Sequence, residues 1–352
     1  MKHLSHSILL LICLTVLFVS YVVGQEKQSD DLFIVTVKGK QGFIDKTGKI
    51  VIEPTYESVG DFADGFAPVK IKDKYGFIDK SGKLVIKPIF DEVRWAFYED
   101  LASVRVGKKW GYINRNGKFV IEPRFDYGNT FEEGRAIINI GENSELRHGI
   151  IDKSGKQIIK QEFKWSGWNF NEGLLNVKVD DKWGFINTEG KIVIPTTFNE
   201  TLEFSEGLAA VEFSNAKNQW GFIDKNGNTI ISPQYEDARY FKDGLALVKV
   251  NDKYGFIDKQ GNMVINPQFE WSYHFSEGLA AVKFEGKWGF INKKGQYVVK
   301  PKYDEVLSFK NGLVAVSIGK WKSSLGYHTM PTYNGKWGYI DKTGKVIWKP
   351  TK

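Results

Sequence analysis

The stretch Leu279-Ala280-Ala281-Val282-Lys283-Phe284-Glu285-Gly286-Lys287-Trp288-Gly289-Phe290-Ile291-Asn292-Lys293-Lys294-Gly295-Gln296-Tyr297-Val298-Val299-Lys300-Pro301 decides the fold. Two apolar runs, Leu279–Phe284 and Trp288-Gly289-Phe290-Ile291, flank the tight turn Glu285-Gly286-Lys287 and read as paired strands. A third strand, Tyr297-Val298-Val299, follows the turn Asn292-Lys293-Lys294-Gly295. Asn or Asp at the start of such a turn accepts a hydrogen bond from the backbone two residues on, and Gly adopts φ > 0 without steric cost. Pro301 has no N–H to give to a ladder, so it is expected to end the third strand. Tyr303 to Phe309 then leads to the next unit, with room for a short fourth strand.

The pattern recurs along the chain. The Gly after the signature aromatic returns at Gly42, Gly76, Gly111, Gly149, Gly184, Gly221, Gly255, Gly289 and Gly338. Its partner is Trp at 110, 183, 220, 288 and 337, Tyr at 75 and 254, Gln at 41 and His at 148. Nine units of about 34 residues replace the domain count that a length of 352 residues suggests. Neighbouring residues such as Phe222 and Ile223 are both large and apolar, and neighbours in a strand point to opposite faces. Both faces of each sheet are therefore buried. The expected fold is all-β: small antiparallel sheets of three to four strands, stacked face to face as an open arc or superhelix, or as a propeller. Nine units exceed the usual count of about four to eight propeller blades, which favours the open arc.

Lys287-Trp288-Gly289-Phe290-Ile291, with the downstream Gly and Pro and the Glu-Gly-Leu-Ala start, resembles the bacterial WG-repeat (KWG-repeat) proteins. The resemblance covers about residues 32–350. It implies an exported or surface-associated repeat scaffold and carries no catalytic residues. The chain departs from the pattern at His148 and Gln161, which replace Trp and Pro, and in an insertion around residues 319–332.

The N-terminus reads as a leader. Lys2 and His3 precede an apolar run from Ile8 to Val23, and small Gly24 precedes a polar stretch. The expected division is a signal peptide over 1–24, a polar linker over 25–31 and the repeat domain over 32–352. The alternative is an uncleaved segment that would hold the protein at a membrane. The only cysteine, Cys13, lies in the leader, so the remaining chain has no disulfide. The expected location is outside the cytoplasm: periplasmic, cell-surface or secreted. The net charge is +7, with 49 Lys and Arg of which seven are Arg, scattered among acids without a basic stripe. That distribution argues against nucleic-acid binding.

No motif for metal, cofactor or nucleophilic chemistry is present, and the expected function is non-catalytic, with no cofactor. Candidate acids such as Asp64 and Glu206 occupy repeat positions. The Asp-Lys-x-Gly turns resemble calcium loops only weakly, because Asn stands for Asp in three of nine. His148 reads as a packing substitute for Trp. The variable positions lie in the connector after Pro. There Trp95, Trp165, Trp168, Tyr240, Trp271 and Tyr273, with Trp321 in the insertion, are candidates for binding an extended protein or glycan partner, with His274 beside them. Packing between units is the competing explanation for these aromatics. An enzyme acting on cell-wall polysaccharide and a purely structural stalk are the rival functions.

Overall fold

The turn signals divide the chain into one sheet per unit. β1 (Phe33–Val37), β2 (Lys40–Ile44) and β3 (Ile50–Tyr56) form the first sheet in that order. The second adds a strand on the inner side: β4 (Ser58–Val59), β5 (Phe66–Ile71), β6 (Lys74–Asp79) and β7 (Leu84–Phe90). Seven more four-stranded sheets repeat that order, ending at Val346–Trp348. The computed structural model describes residues 32–140, 147–163, 165–215, 219–318 and 336–349, and no helix occurs among them. The leader, the linker and Trp321 lie outside the described residues.

The middle strands are buried on both faces, as the adjacent apolar pairs predict: Phe77, Ile78, Phe222 and Ile223 are fully enclosed. Each core lies between two sheets. Phe256 and Ile265 of one sheet pack with Ala280, Val282 and Ile291 of the next. A connector Phe inserts between successive blades along the chain: Phe62 packs on Phe43, Phe97 on Phe77, and Phe241 on Phe222, with ring centroids 4.8–4.9 Å apart. Such tilted aromatic pairs add about 0.5–1.5 kcal/mol each beyond their burial.

The ring closes. Phe33, Val35 and Ile44 of the first sheet share a core with Leu313, Ala315 and Tyr339 of the last. The open arc is thereby corrected to a nine-bladed β-propeller. Among the described residues the first blade has no inner strand and no connector Phe to fill the junction with the ninth. Phe33 supplies the missing volume. The strand partner of Phe33 is Ile44, and the residues in equivalent pairs elsewhere are mostly Ala: Ala67 with Ile78, Ala102 with Ile113, Ala280 with Ile291. A large side chain at a position that otherwise takes Ala seals the ring with no split blade, a compensation that the repeat pattern hides.

The signature Gly is fixed by close approach. A Cβ on Gly289 would stand 2.5 Å from the carbonyl oxygen of Val299 and 2.7 Å from the nitrogen of Pro301. The last strand of the blade bulges there: Trp288 faces Tyr303 while Phe290 faces Val299. Pro301 therefore does not end the strand. It sits inside the bulge, where a ladder N–H is not needed. The signature Trp is less uniform than its repetition suggests: Trp110 and Trp288 are buried, whereas Trp183 and Trp220 are half-buried. His148 takes the same place half-buried, with Nδ1 3.0 Å from Ser166 Oγ, and burial lowers its pKa.

Candidate functional site

The last strand of each blade forms the outer rim, where aliphatic residues such as Val51, Val85 and Val298 are exposed. The connectors lie at the opposite end, where blades converge on the axis. Two contacts establish this. Arg94 of the third blade stands 4.7 Å from the Tyr127 ring of the fourth and 5.9 Å from the Trp168 ring of the fifth. Lys310 of the ninth blade pairs with Asp61 of the second at 3.0 Å, across the first blade. Side chains skip a blade only near the axis. The connector position varies from blade to blade, so the varying residues of the repeat gather there.

The repeated acids are occupied in holding blades together. Glu99, Glu133, Glu172, Glu206, Asp243 and Glu277 each accept the backbone N–H of the Gly in the following blade, at 2.8–3.1 Å. Four of them also pair with a Lys of that next blade: Lys153 with Glu99, Lys225 with Glu172, Lys259 with Glu206 and Lys342 with Glu277, at 2.9–3.2 Å. The acids of the Asp-Lys-x-Gly turns are bound to their own backbone. Asp45 Oδ1 accepts from the N–H of Thr47 and of Lys49, and Asn114 Oδ1 does the same for Asn116 and Lys118. The carboxylate and the amide serve equally, which identifies a turn cap. Among the described residues, no group of three His, Cys, Asp or Glu side chains could hold a metal ion.

The structure divides the candidate aromatics. Of those described, Trp95 is the most open, at 37% exposure. Trp168 is half-buried beside Tyr127 and Arg94, and its carbonyl accepts from Asn129 Nδ2 at 2.6 Å. Trp271 stands edge-on to Tyr254 of the preceding blade, and Tyr273 lies flat on Trp288 of its own blade at 4.9 Å, both against the core shared with the ninth blade, so these two serve packing. Tyr240 is buried and stacks on His274, with centroids 3.7 Å apart and planes 17° from parallel. Trp165 pairs in register with Lys178, and its side chain lies outside the described residues, as does Trp321.

Three residues that the aromatic search passed over stand beside them. Arg94 and Tyr127 form part of the Trp168 cluster, and burial pushes the Tyr127 hydroxyl up to about 12. Glu203 occupies the position of Tyr240 and His274 one blade earlier. Burial raises its carboxyl to about 7, far above the ordinary range. Burial, aided by Glu203, also raises the Tyr240 hydroxyl. His274 is pushed down to about 3 by burial and then by Arg239 and Lys242, so its ring is neutral in the folded protein. The Arg239 guanidinium is paired with Asp237 at 3.0 Å. The signal that would have found Glu203 was its place in the same two-residue window before the connector Phe.

The profile of the family described as "WG containing repeat" matches nine successive segments, from residues 42–75 through 183–215 to 337–351. The chain belongs to the WG-repeat family. No curated protein matches this WG-repeat protein. Among solved structures, one described as a eukaryotic initiation factor is similar at 9% identity, over 80% of this chain and 88% of that one, with a TM-score of 0.55. A likeness at that identity shows the fold alone. PorZ, described as a surface component of the type-IX secretion system of Porphyromonas gingivalis, is similar at 9% identity over 90% of this chain and 46% of its own, with a TM-score of 0.33. Hsv2p of Kluyveromyces lactis is similar at 10% identity over 66% and 90%, with a TM-score of 0.39.

Proposed function

We propose that this WG-repeat propeller is an exported, non-catalytic scaffold that binds a macromolecular partner, protein or glycan, at its axial connectors. The observation that carries this reading is where the variable residues sit. The repeated acids are taken up by interblade and turn hydrogen bonds, while the residues that differ between blades gather at the axis. Trp95 keeps over a third of its surface open there, and an exposed Trp beside Arg is the composition of a binding hot spot. Ring closure changes the geometry expected of the partner. Equivalent connector positions form a circle, so a partner engages the axis from one face and need not run along an edge. The propeller gives such a site a rigid frame. Export rests on the basic-apolar-small pattern of residues 1–24.

The test is a pull-down from envelope extract and a glycan array, both run on residues 25–352 and on the Trp95→Ala and Trp168→Ala variants. Retention of a partner by the parent, weakened in either variant with unchanged melting temperature, supports the axial scaffold. Equal retention by all three proteins moves the site elsewhere.

A further inference from the structure

We infer that the outer rims of the sixth and seventh blades form a contact surface for a second copy of this chain. The inference is independent of the axial scaffold reading.

The last strands of these blades, Thr229–Tyr235 and Met263–Phe269, are the outermost of their sheets, and among the described residues no strand pairs with their outward edges. Folded proteins guard such edges with charged residues, Lys above all, and with Pro. Six other blades place a Lys just ahead of the strand: Lys49, Lys83, Lys118, Lys156, Lys191 and Lys345. The eighth carries Lys300 and Lys302 along it. In the sixth and seventh, Asn228 and Asn262 replace that Lys, and no charged residue follows before the buried Tyr235 or Phe269. The exposed side chains between are Ile230 (48%) and Val264 (43%), beside Met263, Ser232 and Asn266. Asn228 and Asn262 cap Asp224 and Asp258, Nδ2 to Oδ2 at 2.9 Å. Capping explains Asn at those two positions and not the uncharged run beyond them. Pro233 and Pro267 still close the second half of each edge, so backbone pairing is confined to the first half.

Charge selects the occupant. The chain carries +7, so two copies repel wherever Lys-bearing rims meet. An acidic partner would favour those rims instead. Only the sixth and seventh rims, which lie side by side, let two copies meet without like charges at the centre of the contact. The strand ends add complementarity. Lys225 stands at the turn end of the sixth rim and Glu236 at the other, with side chains 44% and 46% exposed. Lys259 and Glu270 hold the same places on the seventh. A two-fold axis at right angles to both the strands and the radius sets each strand antiparallel to its own copy, which brings Lys225 towards Glu236 and Lys259 towards Glu270 of the second molecule. Such a self-complementary patch is what a closed dimer requires. The two strands with their flanking turns approach the roughly 20 residues a side of a standard interface, with a polar rim around an apolar centre. A concentration-dependent dimer is expected.

The experiment is sedimentation velocity on residues 25–352, which hold all nine blades, from about 1 to 500 μM. The parent should shift from monomer to dimer across that range. Ile230→Lys and Val264→Lys should each weaken the dimer at least tenfold, and together abolish it, with unchanged melting temperature because both sites are exposed. Val120→Lys, at the matching position of the third blade, should leave it intact. Cysteine is absent from residues 25–352, so Ile230→Cys offers a second readout: mild oxidation should yield a covalent dimer, and Val120→Cys should not. A monomer at every concentration overturns the inference. So does a dimer that keeps its affinity in the double Lys variant, or one that Val120→Lys disrupts equally.

Discussion

The hydroxyl of Tyr339 donates to the carbonyl oxygen of Ile34 at 2.9 Å, joining residues 305 positions apart. The equivalent carbonyl in other blades accepts from a connector backbone N–H: Pro68 from Gly60, Ser103 from Arg94, Ala281 from Tyr273. Among the described residues no inner strand of the first blade makes that bond, and the last blade reaches over to make it. Tyr339→Phe should therefore cost about 1–3 kcal/mol, because it strands a buried carbonyl. Denaturant melts of the two proteins would check it. A cost within error of zero would mean that the junction is satisfied some other way.

Phe33 should matter more. It is buried against Tyr339 at 5.5 Å, and Phe33→Ala removes the side chain that fills the junction. A loss of about 3–5 kcal/mol is expected. Limited proteolysis should show cleavage beginning in the first and ninth blades. Cleavage spread evenly around the ring would argue against a junction of that kind.

The two kinds of Gly should respond differently to Ala. Gly255→Ala places a Cβ 2.5 Å from the carbonyl of Ile265, with backbone on the far side that cannot yield. Gly286→Ala has open space around it and only its φ of +73° to oppose it. The first should destabilise severely, by several kcal/mol, and the second by about 1 kcal/mol. Thermal melts that rank them the other way would overturn the close-approach account of the signature dipeptide.

Among connector aromatics, Tyr273→Ala should destabilise more than Trp95→Ala. Tyr273 is stacked on Trp288 and packed against a blade core, whereas Trp95 is 37% exposed. A difference of about 1–3 kcal/mol is expected from the lost packing. Equal melting temperatures would place Trp95 in the structural core and weaken its role at the axis.

The pH dependence of stability should change with Glu203. Its carboxyl is raised from 4.5 to about 7 by burial. The folded state thus holds a proton that the unfolded chain releases, and stability is lost as pH rises from about 4.5 through 7. Glu203→Gln removes that loss, so the variant should gain on the parent at pH 8 and not at pH 4. His274 has the opposite slope: its pKa falls from 6.5 to about 3, so stability is lost as pH falls across that range. Parallel stability profiles for parent and Glu203→Gln would show that the carboxyl is not held protonated by the fold.

Local chemistry in the sequence determined the blade. The alternation of apolar pairs with Asp-Lys-x-Gly turns set three of the four strands and the burial of both faces, because turn conformation and strand burial depend on residues a few positions apart. Chance resemblance among nine copies is small, so the family was legible too. Pro301 misled because its missing N–H suits a bulge as well as a strand end, and only the partner strand distinguishes them. Closure of the ring was decided by tertiary structure: it depends on Phe33 meeting Tyr339, a contact between opposite ends of the chain that no periodicity encodes. The environments of the axial connector residues were decided the same way. Trp95, Tyr240 and Tyr273 look alike in sequence, yet convergence of the blades leaves one open, stacks one on His274 and packs one against Trp288. Glu203 acquires its unusual carboxyl only from the neighbours that the closed ring crowds around it.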